Sequence, residues 1–172
     1  MVDCILTGLD TQDRNTQGTR FMRPEFRELF EGFNAFADDH QIGAIRPNQW
    51  EVTYVNHIPR GAAWSEPADW ASLFRGLPSI TDSPEDIRLE SFGSEWHFEI
   101  APQRGRLHMD LKHARAGGPS GPEVLRLTVT ARGAARDAAS LYEGVDIGRS
   151  AIVRTFRAAT SDRAHQLWEL IS

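Results

Sequence analysis

The chain has almost no lysine, and it contains no run of basic residues. Of its 19 basic residues only Lys112 is a lysine, and the formal net charge is −5 at pH 7. Proteins that bind nucleic acid through its phosphates need clustered Lys and Arg side chains, which displace counterions from the phosphates. We therefore expect no nucleic-acid partner for this chain.

Cysteine is equally scarce, and long apolar segments are missing. Cys4 is the single cysteine among 172 residues, so no disulfide can form within the chain. No window approaches the roughly 20 apolar residues that span a bilayer, and the first residues do not read as a secretory leader. We expect a cytoplasmic protein with no membrane partner.

Sequence motifs for cofactors and for the common hydrolases are also absent. The glycines match neither a dinucleotide fingerprint nor a phosphate-binding loop, and there is no G-x-S-x-G elbow. We expect no cofactor, and no reaction can be assigned from a motif.

An amphipathic helix is predicted from Pro24, a residue type that suits the first helical turn. Five apolar residues recur at helical spacing after it, namely Phe26, Leu29, Phe30, Phe33 and Phe36, with acidic residues between them. We expect this stripe to be core. The polar stretch Asp10 to Arg20 before it is predicted to be a loop.

The rest of the chain alternates between strand and helix patterns. Strands are predicted at Gln49 to Ile58, within Ile87 to Ile100, and at Val124 to Arg132. A short helix follows Pro67 and stops at Gly76, and Ala116 to Pro122 reads as a connecting loop. Two terminal helices are predicted, with Asp146 and Ser161 as their caps.

A turn at Pro102 to Gly105 predicts an antiparallel hairpin whose paired positions sum to 207. The predicted apolar pairs are Trp96 with Leu111, Phe98 with Met109, and Ile100 with Leu107. The predicted polar pairs are Glu95 with Lys112, His97 with Asp110, and Glu99 with His108. This register places every apolar residue on one face of the sheet and every polar residue on the other.

The element order predicts an α+β fold in which helices cover one face of an antiparallel meander. We expect residues 1 to 172 to form a single domain, because a chain of this length buries roughly 70% of its unfolded surface.

Four residues of the hairpin have side chains suited to metal binding or acid–base work: His97, Glu99, His108 and Asp110. The same residues also fit a solvent-facing surface on which opposite charges pair across strands, and we favour that interpretation. We therefore expect no bound metal.

Five other residues are candidates for ligand binding, because they are aromatic or carry a buried amide on the apolar sheet face. They are Trp50, Tyr54, Asn56, Trp96 and Phe98. For Asn56 a structural role is the favoured interpretation, because a buried amide must satisfy its hydrogen bonds.

The chain resembles a sporadically distributed family of uncharacterised bacterial proteins. The resemblance rests on residues 50 to 56 (WEVTYVN), 125 to 133 (LRLTVTARG), 146 to 149 (DIGR), 152 to 156 (IVRTF) and 165 to 168 (HQLW). It implies a similar fold but no established activity or catalytic residue. Family members are generally longer, with an additional N-terminal region containing strands.

Our preferred hypothesis is a noncatalytic module that binds a protein or a ligand, since aromatic and guanidinium groups suit a contact surface. A metal-assisted hydrolase using the His97 face, and a small-molecule carrier with an aromatic-lined cavity, are the alternatives. Because a strand edge would lie open without the additional region, we also expect a homodimer formed through a sheet edge or an apolar helix face.

Overall fold

The computed structural model describes residues 5–8, 18–61, 63–77, 87 and 89–168. The elements follow one another in the order β1 (Ile5–Gly8), α1 (Gly18–Asp39), β2 (Gln49–Pro59), α2 (Trp70–Leu73, after a 3-10 turn at Pro67–Asp69), β3 (Gly93–Glu99), α3 (Ala101–Arg104), β4 (Arg106–Arg115), β5 (Glu123–Ala134), α4 (Ala138–Ala159) and α5 (Asp162–Leu167). This composition confirms the predicted α+β class.

The strands form one sheet in the order β1-β2-β5-β4-β3. Strands β2 to β5 pair antiparallel, as predicted, while β1 pairs parallel to β2. Parallel neighbours require a crossover connection, and here α1 lies within it. Strand β3 therefore ends the sheet on one side and β1 ends it on the other.

The helices cover one sheet face, because alternate residues of each strand are apolar on that side. The buried side chains of this face are Trp50, Val52 and Ile58 on β2, Leu107, Met109 and Leu111 on β4, and Leu125, Leu127, Val129 and Ala131 on β5. Helix α4 lies across β2 and β5. Helix α1 packs on α4 through the rings of Phe26 and Phe30, which meet Tyr142 edge-on.

The opposite face of the sheet is polar. It carries Thr53 of β2, whose hydroxyl lies 3.0 Å from that of Thr130 on β5. The side chains of His97 and His108 lie on the same face, because they occupy alternate positions to the apolar residues of β3 and β4.

The stripe predicted for α1 is only partly core. Phe26 and Phe30 are buried, whereas Leu29 is 74% exposed and Phe33 and Phe36 are about half exposed. Successive residues of a helix are about 100° apart, so these five positions form an arc wider than the face that meets α4. The helix also begins at Gly18, so Pro24 lies inside it and residues 18 to 20 of the predicted loop are helical. Residues 10 to 17 of that loop lie outside the described residues.

The predicted caps are half correct. Ser161 caps α5, and its hydroxyl accepts a hydrogen bond from the backbone N–H of Ala164 at 3.1 Å. The prediction for Asp146 is wrong, because α4 starts eight residues earlier and Asp137 is its cap. Gly76, predicted to stop the short helix, does not do so, because α2 ends at Leu73 and the next residue, Phe74, is extended. Gly76 has a φ of 82° in the following turn, a conformation that glycine adopts without strain.

The predicted register of the β3–β4 hairpin is wrong by two residues. Paired positions sum to 205, so Trp96 faces Met109 and Phe98 faces Leu107. The connection is as long as the predicted turn but lies one residue earlier in the chain, with the N–H of Ile100 donating to the carbonyl of Gly105 at 3.0 Å. Since a shift of two preserves the alternation of faces, the apolar and polar sides are as predicted while the partners differ.

Candidate functional site

The register decides what the four candidate metal ligands can do. His97 lies opposite His108, and the centroids of the two rings are 4.6 Å apart with the ring planes nearly perpendicular. Burial lowers the pKa of His108, and neighbouring His97 lowers it further. The neutral form of His108 is therefore favoured in this position.

The two carboxylates of this group are held by basic side chains instead of by the histidines. Glu99 lies opposite Arg106 and accepts from its guanidinium at 2.9 Å, which lowers the pKa of Glu99. Asp110 lies 3.0 Å from the ammonium group of Lys112 and raises the pKa of that group. The predicted pairs His97 with Asp110 and Glu99 with His108 are not formed.

Among the residues that the structure describes, no group of three or more His, Cys, Asp or Glu side chains is placed to hold a metal ion. The polar face of β3 and β4 is a surface on which charges pair across and along the strands.

A more promising site lies on the other face, between the β3–β4 hairpin and the second half of α4. This β3–α4 groove is an open cleft of about 670 Å³. Its floor consists of side chains from the hairpin, namely Trp96, Phe98, Ile100, Leu107 and Met109. Because α4 lies over β2 and β5, it leaves the apolar face of β3 uncovered. Phe98 is 40% exposed as a result.

Small residues on α4 form the wall of the groove. Ala151, Thr155 and Ala158 recur at helical spacing, and their short side chains leave room between the helix and Trp96. A larger residue at any of these positions would reach toward the floor. The width of the groove therefore follows from the sequence of α4.

Two arginines stand at the rim of the groove, and they differ in their partners. Arg75 forms an ion pair with Asp162 at 2.7 Å. The Nε of Arg154 donates to the carbonyl of Ser150 at 3.3 Å, and no described carboxylate lies within ion-pair distance of its guanidinium. A planar guanidinium with free N–H groups can form a bidentate contact with a carboxylate or a similar anion.

The five candidate ligand-binding residues are thus divided. Trp96 and Phe98 lie in the groove, whereas Trp50 is buried beneath α4. Tyr54 and Asn56 are half buried on the helix-covered face of β2, away from the groove lining.

A second cleft, between α1 and α4, is shallower and lined mainly by charged groups. Arg27 stacks on the ring of Tyr142, with 4.6 Å from the guanidinium carbon to the ring centroid. Burial raises the pKa of the Tyr142 hydroxyl, and Glu143 forms an ion pair with Arg104 at 3.0 Å. Arg27 and Glu143 are engaged by partners within the protein, so we prefer the β3–α4 groove.

Sequence reasoning found the floor of the groove but missed its wall and rim. Ala151, Thr155 and Ala158 are ordinary helix residues, and their position opposite Trp96 depends on how α4 is placed across the sheet. Arg154 gave no signal among so many arginines. The one usable signal was the row of small residues on α4.

Comparisons with protein families, curated proteins and solved structures find no match for this chain. Within the described residues, no helix combines the length and the apolar character needed to cross a bilayer.

Proposed function

We propose that this protein is a noncatalytic binding module and that its β3–α4 groove takes an apolar group carrying a negative charge. The observation that supports this most directly is the exposed aromatic floor of Trp96 and Phe98 beside the guanidinium of Arg154. An apolar cleft with a few polar groups is the usual form of a ligand site.

The chemistry of the lining favours binding over catalysis. Its described residues include no histidine, cysteine or serine, and Glu99 is the one carboxylate among them. The hydrogen bond from Arg106 lowers the pKa of Glu99, so this group is a poor proton donor near neutral pH. The groove therefore offers apolar contact and positive charge, which suit recognition.

A pair of fluorescent probes tests the proposal. Anilinonaphthalene sulfonate has an apolar ring system and an anionic group, and phenylnaphthylamine has the same rings without the charge. We expect Ala158→Phe, which fills the groove, to weaken binding of both probes. Arg154→Gln should weaken binding of the sulfonate by about tenfold, in line with a charged hydrogen bond, and leave the neutral probe unaffected.

Arg46→Gln is the matched control, because Arg46 is an exposed arginine outside the groove. It should bind both probes like the unmodified protein. Equal sulfonate affinity for the unmodified protein and for both groove variants would contradict the proposal.

A further inference from the structure

Within the described part of the chain, the outer edge of β3 presents unpaired backbone groups in a regular pattern. No strand among the described residues pairs with this edge. The N–H of Ile100 points toward β4, where it donates to Gly105. Backbone groups of a strand alternate in direction, so those of Gly93, Glu95, His97 and Glu99 point away from the sheet.

We propose that a second copy of this chain pairs with this edge, antiparallel and about a twofold axis at Trp96. Hydrogen-bonded pairing requires outward-pointing residues to face one another. When Trp96 of one copy lies opposite Trp96 of the other, all seven residues of the two β3 strands are paired. Glu95 of each copy then faces His97 of the other. Gly93 then faces Glu99, which leaves space for that longer side chain.

The charges of β3 favour this register over its neighbours. Shifting the pairing of the two strands by two residues in one direction places Glu95 of each copy opposite Glu95 of the other. Shifting it by two residues in the other direction places Glu95 opposite Glu99. Two carboxylates directly opposite each other destabilise a strand pair, whereas an imidazole opposite a carboxylate can donate a hydrogen bond to it. Glu95 and His97 are both exposed, so each is accessible to the second copy.

The pairing also completes the β3–α4 groove. Trp96 and Phe98 lie on the helix-covered face, and across the axis Trp96 would lie beside Trp96 of the second copy while Phe98 would face its Ser94. The two grooves would then join into one trough with an α4 helix on each side. The dimer does not depend on the proposed function, since it can be measured without any ligand.

Charge exchange tests the register by sedimentation velocity, where the dimer has twice the mass of the 19.3 kDa chain. His97→Glu should weaken the dimer by about tenfold, because it places two carboxylates opposite each other in two symmetric pairs. Glu95→Lys should also weaken it, because it removes both carboxylates that accept from His97. An equimolar mixture of the two single variants should form a heterodimer with the original affinity, and the double variant should dimerise again.

Glu25→Lys controls for the change in net charge, since Glu25 lies on α1 and is exposed. It should dimerise like the unmodified protein. A monomer at all concentrations would overturn the proposal, and so would single variants that dimerise normally. Failure of both the mixture and the double variant to recover would refute the register.

Cross-linking provides a second test of the axis. Residues facing each other outside the hydrogen-bonded positions have Cα atoms about 4.5 Å apart, within the range of a disulfide. In a Cys4→Ser background, Trp96→Cys should therefore form an intermolecular disulfide on mild oxidation. Ser94→Cys should not, because in this register Ser94 faces Phe98. Equal cross-linking of both variants, or none of Trp96→Cys, would exclude an axis at residue 96.

Discussion

Two glycines of α4 leave the space that the side chain of Trp50 occupies in the core. Gly144 and Gly148 lie one helical turn apart on α4, and the indole of Trp50 occupies the space where their Cβ atoms would stand. A Cβ on Gly148 would lie 2.6 Å from Cζ3 of Trp50, and one on Gly144 would meet the pyrrole part of the same ring. These glycines set how closely α4 approaches β2.

At this scale we predict that Gly148→Ala and Gly144→Ala each lower the free energy of unfolding, by up to about 2 kcal/mol. Overpacking against Trp50 costs roughly 1 to 3 kcal/mol, which exceeds the roughly 1 kcal/mol that alanine gains over glycine in a helix. Urea unfolding monitored by circular dichroism measures the change.

Gly32→Ala is the matched control for this prediction, because Gly32 lies within α1 and a Cβ there would contact nothing within 4 Å. It should stabilise the protein by up to about 1 kcal/mol. Stabilisation by Gly148→Ala to the same extent would show that Trp50 does not need this space.

Among the elements, those with strong periodicity could be predicted from the sequence, while their partners could not. The alternation of β3 and β4 fixed the apolar and polar faces, because a shift of two residues leaves faces unchanged. The partner of His97 depended on the connection between Ile100 and Gly105, whose conformation the sequence did not reveal. The periodicity of α1 likewise predicted an apolar face but not how much of that face α4 covers. Phe33 and Phe36 fit the apolar pattern but lie outside the contact with α4.

For the candidate site too, the sequence predicted which sheet face a residue occupies but not which residues lie opposite it. Trp96 and Phe98 were predicted on the helix-covered face, and they lie there. Their exposure arises because α4 crosses β2 and β5 and stops short of β3. Such placement depends on packing between distant segments, so the row of small residues on α4 could indicate a close approach to another element but could not identify that element as β3.

The N-terminus of α4 predicts a pH dependence. The carboxylate of Asp137 accepts from the N–H of Ser140 at 2.8 Å, and this backbone hydrogen bond, with one from the Ser140 hydroxyl, lowers the pKa of Asp137 below its ordinary 3.8. A lowered carboxyl pKa means that the charged form stabilises the folded state. This contribution is present above the unfolded-state pKa and is lost as the pH falls through the folded-state pKa.

We therefore expect Asp137→Asn to be less stable than the unmodified protein at neutral pH, although asparagine can still accept the capping hydrogen bond. The difference between their urea midpoints should shrink as the pH falls through the folded-state pKa of Asp137, below which the carboxyl is protonated in both states. A difference that stays constant across this range would show that the charge of Asp137 does not contribute.

For the molecule as a whole, α5 connects the end of the chain to its middle. The hydroxyl of Ser161 donates to the carbonyl of Ser72 at 2.6 Å, and the N–H of Ser161 donates to the carbonyl of Leu73 at 2.9 Å. Phe74 forms an isolated bridge with Thr160 and is nearly fully buried. Because these contacts join segments almost 90 residues apart, α2 and α5 should unfold together with the sheet.

The prediction at this scale is one cooperative transition for the whole chain. Tryptophan fluorescence reports mainly on the region around α2 and α5, where Trp64, Trp70 and Trp168 contact neighbouring rings. Circular dichroism at the helix band reports mainly on α1 and α4, which are much the longest helices. In a two-state protein the two urea curves coincide.

Ser161→Ala removes the cap of α5 and its bond to Ser72, and it should lower the free energy of unfolding by about 1 kcal/mol in both curves. If fluorescence changed at lower urea than circular dichroism, α2 and α5 would form a separate unit, and the single-domain prediction would be wrong. Coincident curves that shift together in Ser161→Ala would instead mean that the hydrogen bonds of Ser161 stabilise the sheet and α4 as well as the segment that contains them.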